Sequence, residues 1–375
     1  MKLIFFLINI IILFQSCSQN RKSAISNLVE NERKLNIYDA IVEPEKPALA
    51  ISDVVKLESP CNKALINKIF KIVHHKDQLY ILTQIPQNSV LIFSDKGNFK
   101  CKIHQGRAKN ELTYPMDITV DENTGDLYVL DLYRTVKIFS ANGNFKRSID
   151  LNIPLTYIEH LKGDDLVFYS SNIAKNTHNF YGLSQSGKII GKYRNLYKGK
   201  PYLFHNVLSK LNSDSLLVES VFSDTIYLYQ TKNKLLQPFF VLDYKGAGVN
   251  KKINEFADVE SHMKYARNNN CFLGPEDAYF HHKKLFFFYS RGESKYWCIF
   301  NAVDNSLISY QKLFEELPNH YGRTGHSAEY VIYAYNIPWL KKHFEKHPPV
   351  SEQGKRIEAM CANEDDNPIV VFAKF

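Results

Sequence analysis

One stretch of this chain occurs twice. Residues 90–103 read VLIFSDKGNFKCKI and residues 136–149 read VKIFSANGNFKRSI, so nine of fourteen aligned positions are identical at a spacing of 46. A strand-like LYIL or LYVL segment precedes each copy. A repeat of this kind, built from short strands and a Gly-containing turn, is typical of a β-propeller blade. We therefore predict an all-β fold, a six-bladed β-propeller of four-stranded antiparallel blades.

Alternating strand patterns and turn residues place five blades along the chain and leave a less regular sixth. The five predicted blades cover Ile66–Ile103, Tyr114–Ile149, Leu155–Tyr193, His205–Leu242 and Pro275–Leu313. The sixth blade is predicted from strands in Ser327–Tyr335 and Pro368–Phe375, with a helix beginning near Ser351 between them. The N-terminal segment Val54–Glu58 is expected to complete its sheet. Closing the ring with strands from both ends leaves no exposed sheet edge.

The N-terminus has the pattern of an export signal. Lys2 is followed by the apolar run Leu3–Phe14, which is too short to span a bilayer but fits the apolar part of a signal peptide. Cys17 follows Gln15-Ser16 and resembles the acylated Cys of a lipobox. We predict a lipoprotein signal peptide over 1–16, a polar tether over 17–50 and the propeller over 51–375. The alternative is an ordinary cleaved signal followed by an incidental Cys.

A lipidated Cys17 would anchor the chain to a membrane without spanning it. The predicted location is therefore the cell envelope. The residues directly after Cys17 read Ser-Gln-Asn-Arg-Lys and lack an acidic run. Since such a run tends to accompany surface export in related lipoproteins, the periplasm-facing side is favoured over the cell surface.

Composition argues against several classes of protein. The formal charge of +8 comes from Lys and Arg spread along the chain, whereas a nucleic-acid-binding protein concentrates basic residues on one face. The six cysteines are scattered without a CxxC spacing, so we predict neither a disulfide framework nor a zinc site. Nucleophile-elbow, HExxH, P-loop and dinucleotide motifs are absent from the sequence. No catalytic residue and no cofactor are predicted.

Several segments in order resemble one known group. They are the lipobox-like start, VVKLES at 54–59, the loop QGRAKNE at 105–111, YPMDITVD at 114–121, LYVLD at 127–131 and the Asp-Asn-Pro tail at 366–368. The chain resembles the six-bladed β-propeller lipoproteins of Gram-negative bacteria, relatives of NHL-repeat proteins. This resemblance implies the fold and the envelope location. It leaves the chemistry open, because the group is mostly of unknown function.

By analogy with other propellers, a ligand is expected at the channel mouth, near the starts of the inner strands and the loops around them. The residues predicted to line this mouth are Arg107, Glu111, Asp117, Asp131, Tyr133, Arg134, Tyr197, Asp277, Arg291 and His326. Asp117 and Asp277 occupy equivalent places in blades two and five, and the alternative is that they bridge neighbouring blades as structural carboxylates. The pairs His74-His75 and His281-His282 lie in separate hairpins, so no shared metal site is predicted.

These features favour an envelope-anchored protein that binds a glycan, peptide or protein ligand at the channel mouth. One alternative is a hydrolase or lyase with a divalent metal in the channel, assembled from Asp117, Asp277, His205 and His326. A second alternative is a structural spacer in an envelope complex.

Overall fold

The computed structural model describes residues 32–59, 65–84, 88–162, 165–173, 175–196, 207–220, 223–249, 255–256, 258–320, 322–327 and 329–375. The N-terminal strands are β1 (Arg33–Asn36), β2 (Ile41–Pro47) and β3 (Ala50–Lys56). The next four are β4 (Lys68–His75), β5 (Gln78–Gln84), β6 (Ser89–Ser94) and β7 (Phe99–Ile103). They are followed by β8 (Pro115–Val120), β9 (Leu127–Asp131), β10 (Thr135–Phe139) and β11 (Phe145–Asp150).

The strands of the middle and C-terminal parts continue this succession. They are β12 (Tyr157–Leu161), β13 (Asp165–Tyr169), β14 (His178–Leu183), β15 (Ile189–Asn195), β16 (Leu208–Asn212), β17 (Ser215–Glu219), β18 (Thr225–Gln230) and β19 (Leu235–Asp243). The last are β20 (Phe272–His281), β21 (Lys284–Arg291), β22 (Ser294–Asn301), β23 (Leu307–Lys312), β24 (Gly325–His326), β25 (Val331–Tyr335) and β26 (Ile369–Lys374). Three described helices interrupt them: α1 (Val259–Asn268), α2 (Ile337–Lys346) and α3 (Glu352–Met360).

The strands group into antiparallel sheets that follow one another along the chain. In the described parts of the chain there are six four-stranded units: β4–β7, β8–β11, β12–β15, β16–β19, β20–β23, and β24–β26 with β3. We call them blades one to six. The first strands of blades one to five contact one another in succession, and β24 of blade six pairs in parallel with β4. The Tyr279 hydroxyl of blade five donates to the carbonyl of Ser327 at 2.8 Å, next to β24. The fold is therefore an all-β propeller.

Strands from the two ends of the chain close the ring, as predicted. The C-terminal strand β26 pairs antiparallel with the N-terminal strand β3, with Val371 opposite Val54. This places β3 as the outer strand of blade six. Its partner strand comes from more than three hundred residues later in the sequence.

The N-terminal segment differs from the predicted tether, which extends to residue 50. The strand β1 pairs in parallel with the outer strand of blade four, and β2 pairs in parallel with the outer strand of blade five. Leu35 and Ile37 are buried, at 4 % and 2 % exposure, against blade four. Burial of these two apolar side chains in a mostly polar segment explains why residues 33–47 belong to the folded ring.

The duplicated sequence corresponds to the hairpin between the third and fourth strands of blades one and two. In both copies the glycine has a positive φ, 86° at Gly97 and 80° at Gly143. The backbone N–H of each glycine donates to the carbonyl of a serine three residues earlier, Ser94 or Ser140. A Cβ atom at Gly97 would lie 2.2 Å from the carbonyl oxygen of Lys56 in blade six. Glycine is required there for its conformation and for this close approach.

The hydrophobic core lies between the blades. Aromatic side chains dominate it where blades five and six meet, including Phe288, Trp297, Phe314 and Tyr333. Each blade is covered on both faces by its neighbours, so its inner strands are apolar along most of their length. In β9, for example, all five residues are buried. Among the cysteines of the described residues, Cys298 and Cys361 are buried and none forms a disulfide.

The two faces of the ring differ. One face carries the turns between the first and second strands of each blade and between the third and fourth strands of blades one to five, which are two to six residues long. We call it the hairpin face. The opposite loop face carries the remaining connections, including 244–271 with α1 and 336–368 with α2 and α3. In the described part of the chain, no helix has the length and hydropathy needed to cross a bilayer.

Candidate functional site

Charged side chains occupy the centre of the ring. Three ion pairs each join two neighbouring blades: Lys71 with Asp117 at 2.9 Å, Lys210 with Glu159 at 3.4 Å, and Arg323 with Asp277 at 2.9 Å. They connect blade one to two, three to four, and five to six. The most exposed of these side chains, that of Lys210, is only 13 % accessible. Opposite charges are thus paired in a largely dehydrated centre, where an unpaired charge is costly.

Further hydrogen bonds fix these charges in place. The Asp117 carboxylate accepts the backbone N–H of Ile158 in blade three at 2.9 Å, so it joins three blades. The Arg323 guanidinium donates to the carbonyl of Ala278 at 3.2 Å and to the hydroxyl of Ser209 in blade four. The two predicted mouth aspartates are therefore engaged between blades. Their placement matches the structural alternative considered for them.

His326 lies beside the same cluster and is half-buried. Its ring is 5.4 Å from that of Tyr279. Burial and the positive charges of Arg323, Lys71 and Lys210 hold the pKa of His326 well below its ordinary value. The imidazole is therefore neutral near pH 7, and it belongs to the central cluster.

Two glutamates at the boundary of blades four and five bind protons unusually tightly. Burial, followed by the charge of Asp277, raises the pKa of Glu219 to about 8. The same two causes raise the pKa of Glu276 to about 7. One Glu219 oxygen accepts the backbone N–H of Ala278, which links the two blades. Both carboxyls thus retain protons at a pH at which an exposed glutamate is ionised.

A small exposed patch lies on the loop face of blade two. The buried Asp131 carboxylate accepts the backbone N–H groups of Thr113 at 3.0 Å and Tyr114 at 2.6 Å. The following residues, Leu132 and Tyr133, have positive φ angles of 52° and 64°. This left-handed turn leaves Leu132 49 % and Tyr114 38 % exposed. Strained backbone of this kind is common at functional sites.

The other predicted residues of blade two lie around this patch. Arg134 is exposed and contacts the carbonyl of Asn152 at 3.5 Å. Arg107 is exposed in the preceding loop. The carboxylate of Glu111 accepts the backbone N–H of Ala108 at 2.9 Å and so stabilises that loop. The structure therefore brings Asp131, Tyr133 and Arg134 together with two supporting loop residues.

Arg291, which was predicted to bind a ligand, contacts aromatic rings of this chain. Its guanidinium lies 5.5 Å from the ring centre of Tyr38 and 5.0 Å from that of Phe272. Such cation–π contacts hold the turn between β1 and β2 against blade five. Tyr38 lies in the segment predicted as tether, so sequence reasoning had no partner for Arg291.

An aromatic cluster forms a second exposed patch on the loop face. Trp339 in α2 is 40 % exposed and stacks on Tyr335, with ring centres 5.4 Å apart and planes at 24°. The ring of His320, from the connection between blades five and six, lies 5.7 Å from Trp339. An exposed indole supported from behind offers a flat surface for another ring or for an apolar group.

Some predicted residues lie outside the described parts of the chain. They are Cys17, Tyr197 and His205. The predictions for lipidation and for these two loop positions therefore stay predictions.

Four charges of the central cluster were not predicted from the sequence: Lys71, Glu159, Lys210 and Arg323. Three of them have a recognisable signal. Lys71, Glu159 and Lys210 each lie inside an innermost strand with an apolar residue directly beside them, where a charge needs an opposite charge nearby. Arg323 lies in an irregular segment just before the two-residue strand β24, and no pattern distinguishes it.

A family model described as a domain of unknown function, DUF4934, matches residues 51–374. The chain belongs to the DUF4934 family. None of the curated proteins compared with it matches significantly.

This DUF4934 chain is similar to several solved structures. An example is BF0058 of Bacteroides fragilis, described as an exported protein, with a TM-score of 0.73 and 17 % identity over 90 % of this chain and 99 % of that one. A member of the DUF4221 family from Bacteroides vulgatus gives a TM-score of 0.49 and 11 % identity over 88 % and 99 % of the two chains. BamB of Moraxella catarrhalis gives 0.37 and 12 % over 76 % and 69 %. At these identities the likeness to BF0058 concerns the fold alone.

The DUF4934 match covers residues 51–374, and the strand topology shows an all-β propeller. The relation to lipoproteins and to NHL-repeat proteins stays a prediction. Within the described ranges, no group of three or more His, Cys, Asp or Glu side chains is arranged to hold a metal ion.

Proposed function

We propose that this chain is an exported, lipid-anchored protein whose six-bladed ring binds a glycan, peptide or protein ligand on its loop face. The observation that carries the proposal is the difference between the two faces. The hairpin face consists of short turns, whereas the loop face carries the three described helices and the long connections. Long connections on a rigid ring are where propellers and other scaffolds place binding residues.

The chemistry of the loop face supports binding rather than a reaction. Trp339, Tyr114 and Leu132 are exposed there, and Arg134 and Arg107 supply positive charge next to two of them. Aromatic faces stack on sugar rings or apolar side chains, and guanidinium groups pair with carboxylates. The proposal therefore moves the site outward from the ring centre, where Asp117 and Asp277 are already paired. It involves no catalysis, no cofactor and no nucleic acid.

Export and anchoring are proposed from the sequence pattern around Cys17 and are supported by the description of BF0058 as an exported protein. Replacing Cys17 by Ala should abolish incorporation of radiolabelled palmitate and release the chain from the membrane fraction. The chain should resist protease added to intact cells, since a periplasm-facing position is favoured. Unchanged palmitate labelling of Cys17→Ala would contradict the anchor.

Binding is tested with the full chain purified from membranes. Glycan arrays and co-purification should enrich a ligand or partner for the native protein, and the variants Leu132→Asp and Trp339→Ala should lose it. A matched control is Lys96→Ala, an exposed change in a hairpin-face turn. Equal enrichment by the native protein and both loop-face variants would refute the proposed site.

A further inference from the structure

An apolar corner is exposed at the outer edge of blade five, on the hairpin face. Val303, at the tip of the turn between β22 and β23, is 68 % exposed. Ile41 and Val42, at the start of β2, are 64 % and 45 % exposed. Ile41 pairs with Ile308, just after that turn. We call Ile41, Val42 and Val303 the blade-five corner.

Basic groups surround the blade-five corner. The carbonyl of Lys283 accepts the backbone N–H of Ala302 at 2.7 Å, so the turn with exposed Lys283 lies against the turn of Val303. Arg33 of β1 reaches the same turn, where its guanidinium contacts the Asn305 side chain at 3.4 Å. Lys284 is half-buried beside them.

One carboxylate lies in this turn, and it is used internally. Asp304 accepts the backbone N–H of Ser306 at 2.9 Å and the amide of Asn301 at 3.0 Å. These hydrogen bonds hold the pKa of Asp304 below its ordinary value, so it stays ionised and offsets one neighbouring cation. Glu43, next to Val42, pairs with Lys46 at 3.2 Å, so Arg33, Lys283 and Lys284 supply the remaining positive charges beside the exposed aliphatic side chains.

The N-terminal segment reaches the ring at this same place. The strand β1 runs parallel to β19, which begins at a hairpin-face turn and ends at the loop face. The chain therefore enters β1 from the hairpin-face side, and the contact of Arg33 with Asn305 places its start next to the blade-five corner. Upstream in the sequence are Cys17 and the apolar run Leu3–Phe14.

We propose that the blade-five corner is a membrane-contacting site that takes the surface of a bilayer containing anionic phospholipids. The aliphatic tips enter the headgroup region, and the lysines and Arg33 pair with lipid phosphates. The inference rests on the proposed membrane anchor, because the anchor brings this corner to the bilayer. Its consequence is an orientation in which the hairpin face of blade five lies on the membrane and the loop face points away from it.

The position of single residues relative to the bilayer tests this orientation. The native tryptophans are suited to the measurement, since Trp297 is buried and Trp339 lies on the loop face. The full chain carrying Val303→Trp is added to vesicles of phosphatidylglycerol with brominated acyl chains, which quench indole on contact. The matched control is Val350→Trp, an 83 % exposed position between α2 and α3 on the loop face. Ile41→Trp provides a second probe of the corner.

We expect quenching and a blue shift for Val303→Trp and Ile41→Trp, and neither change for the native protein or Val350→Trp. Salt should reduce the quenching, and Lys283→Gln with Lys284→Gln should weaken vesicle binding on the order of tenfold. Unquenched corner probes on membrane-bound protein, or equal quenching at positions 303 and 350, would overturn the membrane contact. A failure of the proposed ligand binding is detected in a separate experiment, because ligand enrichment depends on the loop face and not on residues 41 and 303.

Discussion

The proton held by Glu219 makes the stability of the ring depend on pH in an unusual direction. In the folded chain its pKa is about 8, whereas an exposed glutamate titrates near 4.5. Below pH 4.5 the carboxyl is protonated in both the folded and the unfolded chain, so its titration does not change the free energy of unfolding. As the pH rises from 4.5 to 8, only the unfolded chain releases the proton, so the folded state is progressively disfavoured.

The size of the effect follows from these two values. At 1.36 kcal/mol per pKa unit, the difference corresponds to a loss of roughly 4 kcal/mol between pH 5 and pH 8. The variant Glu219→Gln keeps an oxygen that accepts the Ala278 N–H and removes the titrating group. We therefore expect it to be more stable than the native chain at pH 8 and to differ little at pH 5. Glu276→Gln should show the same trend over a range ending near pH 7.

Urea unfolding followed by near-UV circular dichroism at pH 5, 6.5 and 8 measures this difference. The exposed Glu345 of α2 provides the control variant Glu345→Gln, which accounts for the general effect of pH on the chain. Parallel stability curves for the native protein and Glu219→Gln would refute the reasoning. They would mean that Glu219 is ionised in the folded ring.

Three further changes test other parts of the structure. Asp277→Asn removes the carboxylate that forms the ion pair with buried Arg323 and should lower the free energy of unfolding by about 3–5 kcal/mol. Adding Arg323→Met should recover part of the loss in a double-mutant cycle by urea unfolding. Leu35→Ala should cost about 2–4 kcal/mol by the same assay, because the side chain is buried against blade four; a negligible cost would argue that β1 is not part of the ring. Arg291→Ala removes the contact with Tyr38 and should speed proteolytic cleavage between β1 and β2, measured by limited digestion. The control is Arg134→Ala, and equal cleavage rates of the two variants would contradict the role of Arg291 in holding this turn.

The propeller itself was predictable because its signals are local and repeated. The glycine turns at Gly97 and Gly143 recur at the right spacing and form the expected hairpins. The closing strand was also predictable, since the apolar segment at 54–58 had no other partner nearby in sequence. The bounds of the first five predicted blades agree closely with the strands described within them.

The pairing of side chains across the ring was not predictable from local patterns. Lys71 and Asp117 are 46 residues apart, and Asp277 and Arg323 are also 46 apart, so each pair forms only once the blades lie side by side. The pairing of β1 and β2 with the outer strands of blades four and five is still harder to predict, because Leu35 and Ile37 are two apolar residues in a polar stretch. Which strand they cover depends on the finished shape of blade four.

The pairing of β3 with β26 has a consequence for synthesis and export. Blade six joins Ala50–Lys56 to a strand made more than three hundred residues later, so the ring stays open until residues 369–374 have been synthesised and have paired with Ala50–Lys56. A product truncated before Ile369 would present unpaired edges on both β3 and β25, which are templates for aggregation. The pairing of β26 with β3 thus distinguishes a closed ring from an open one.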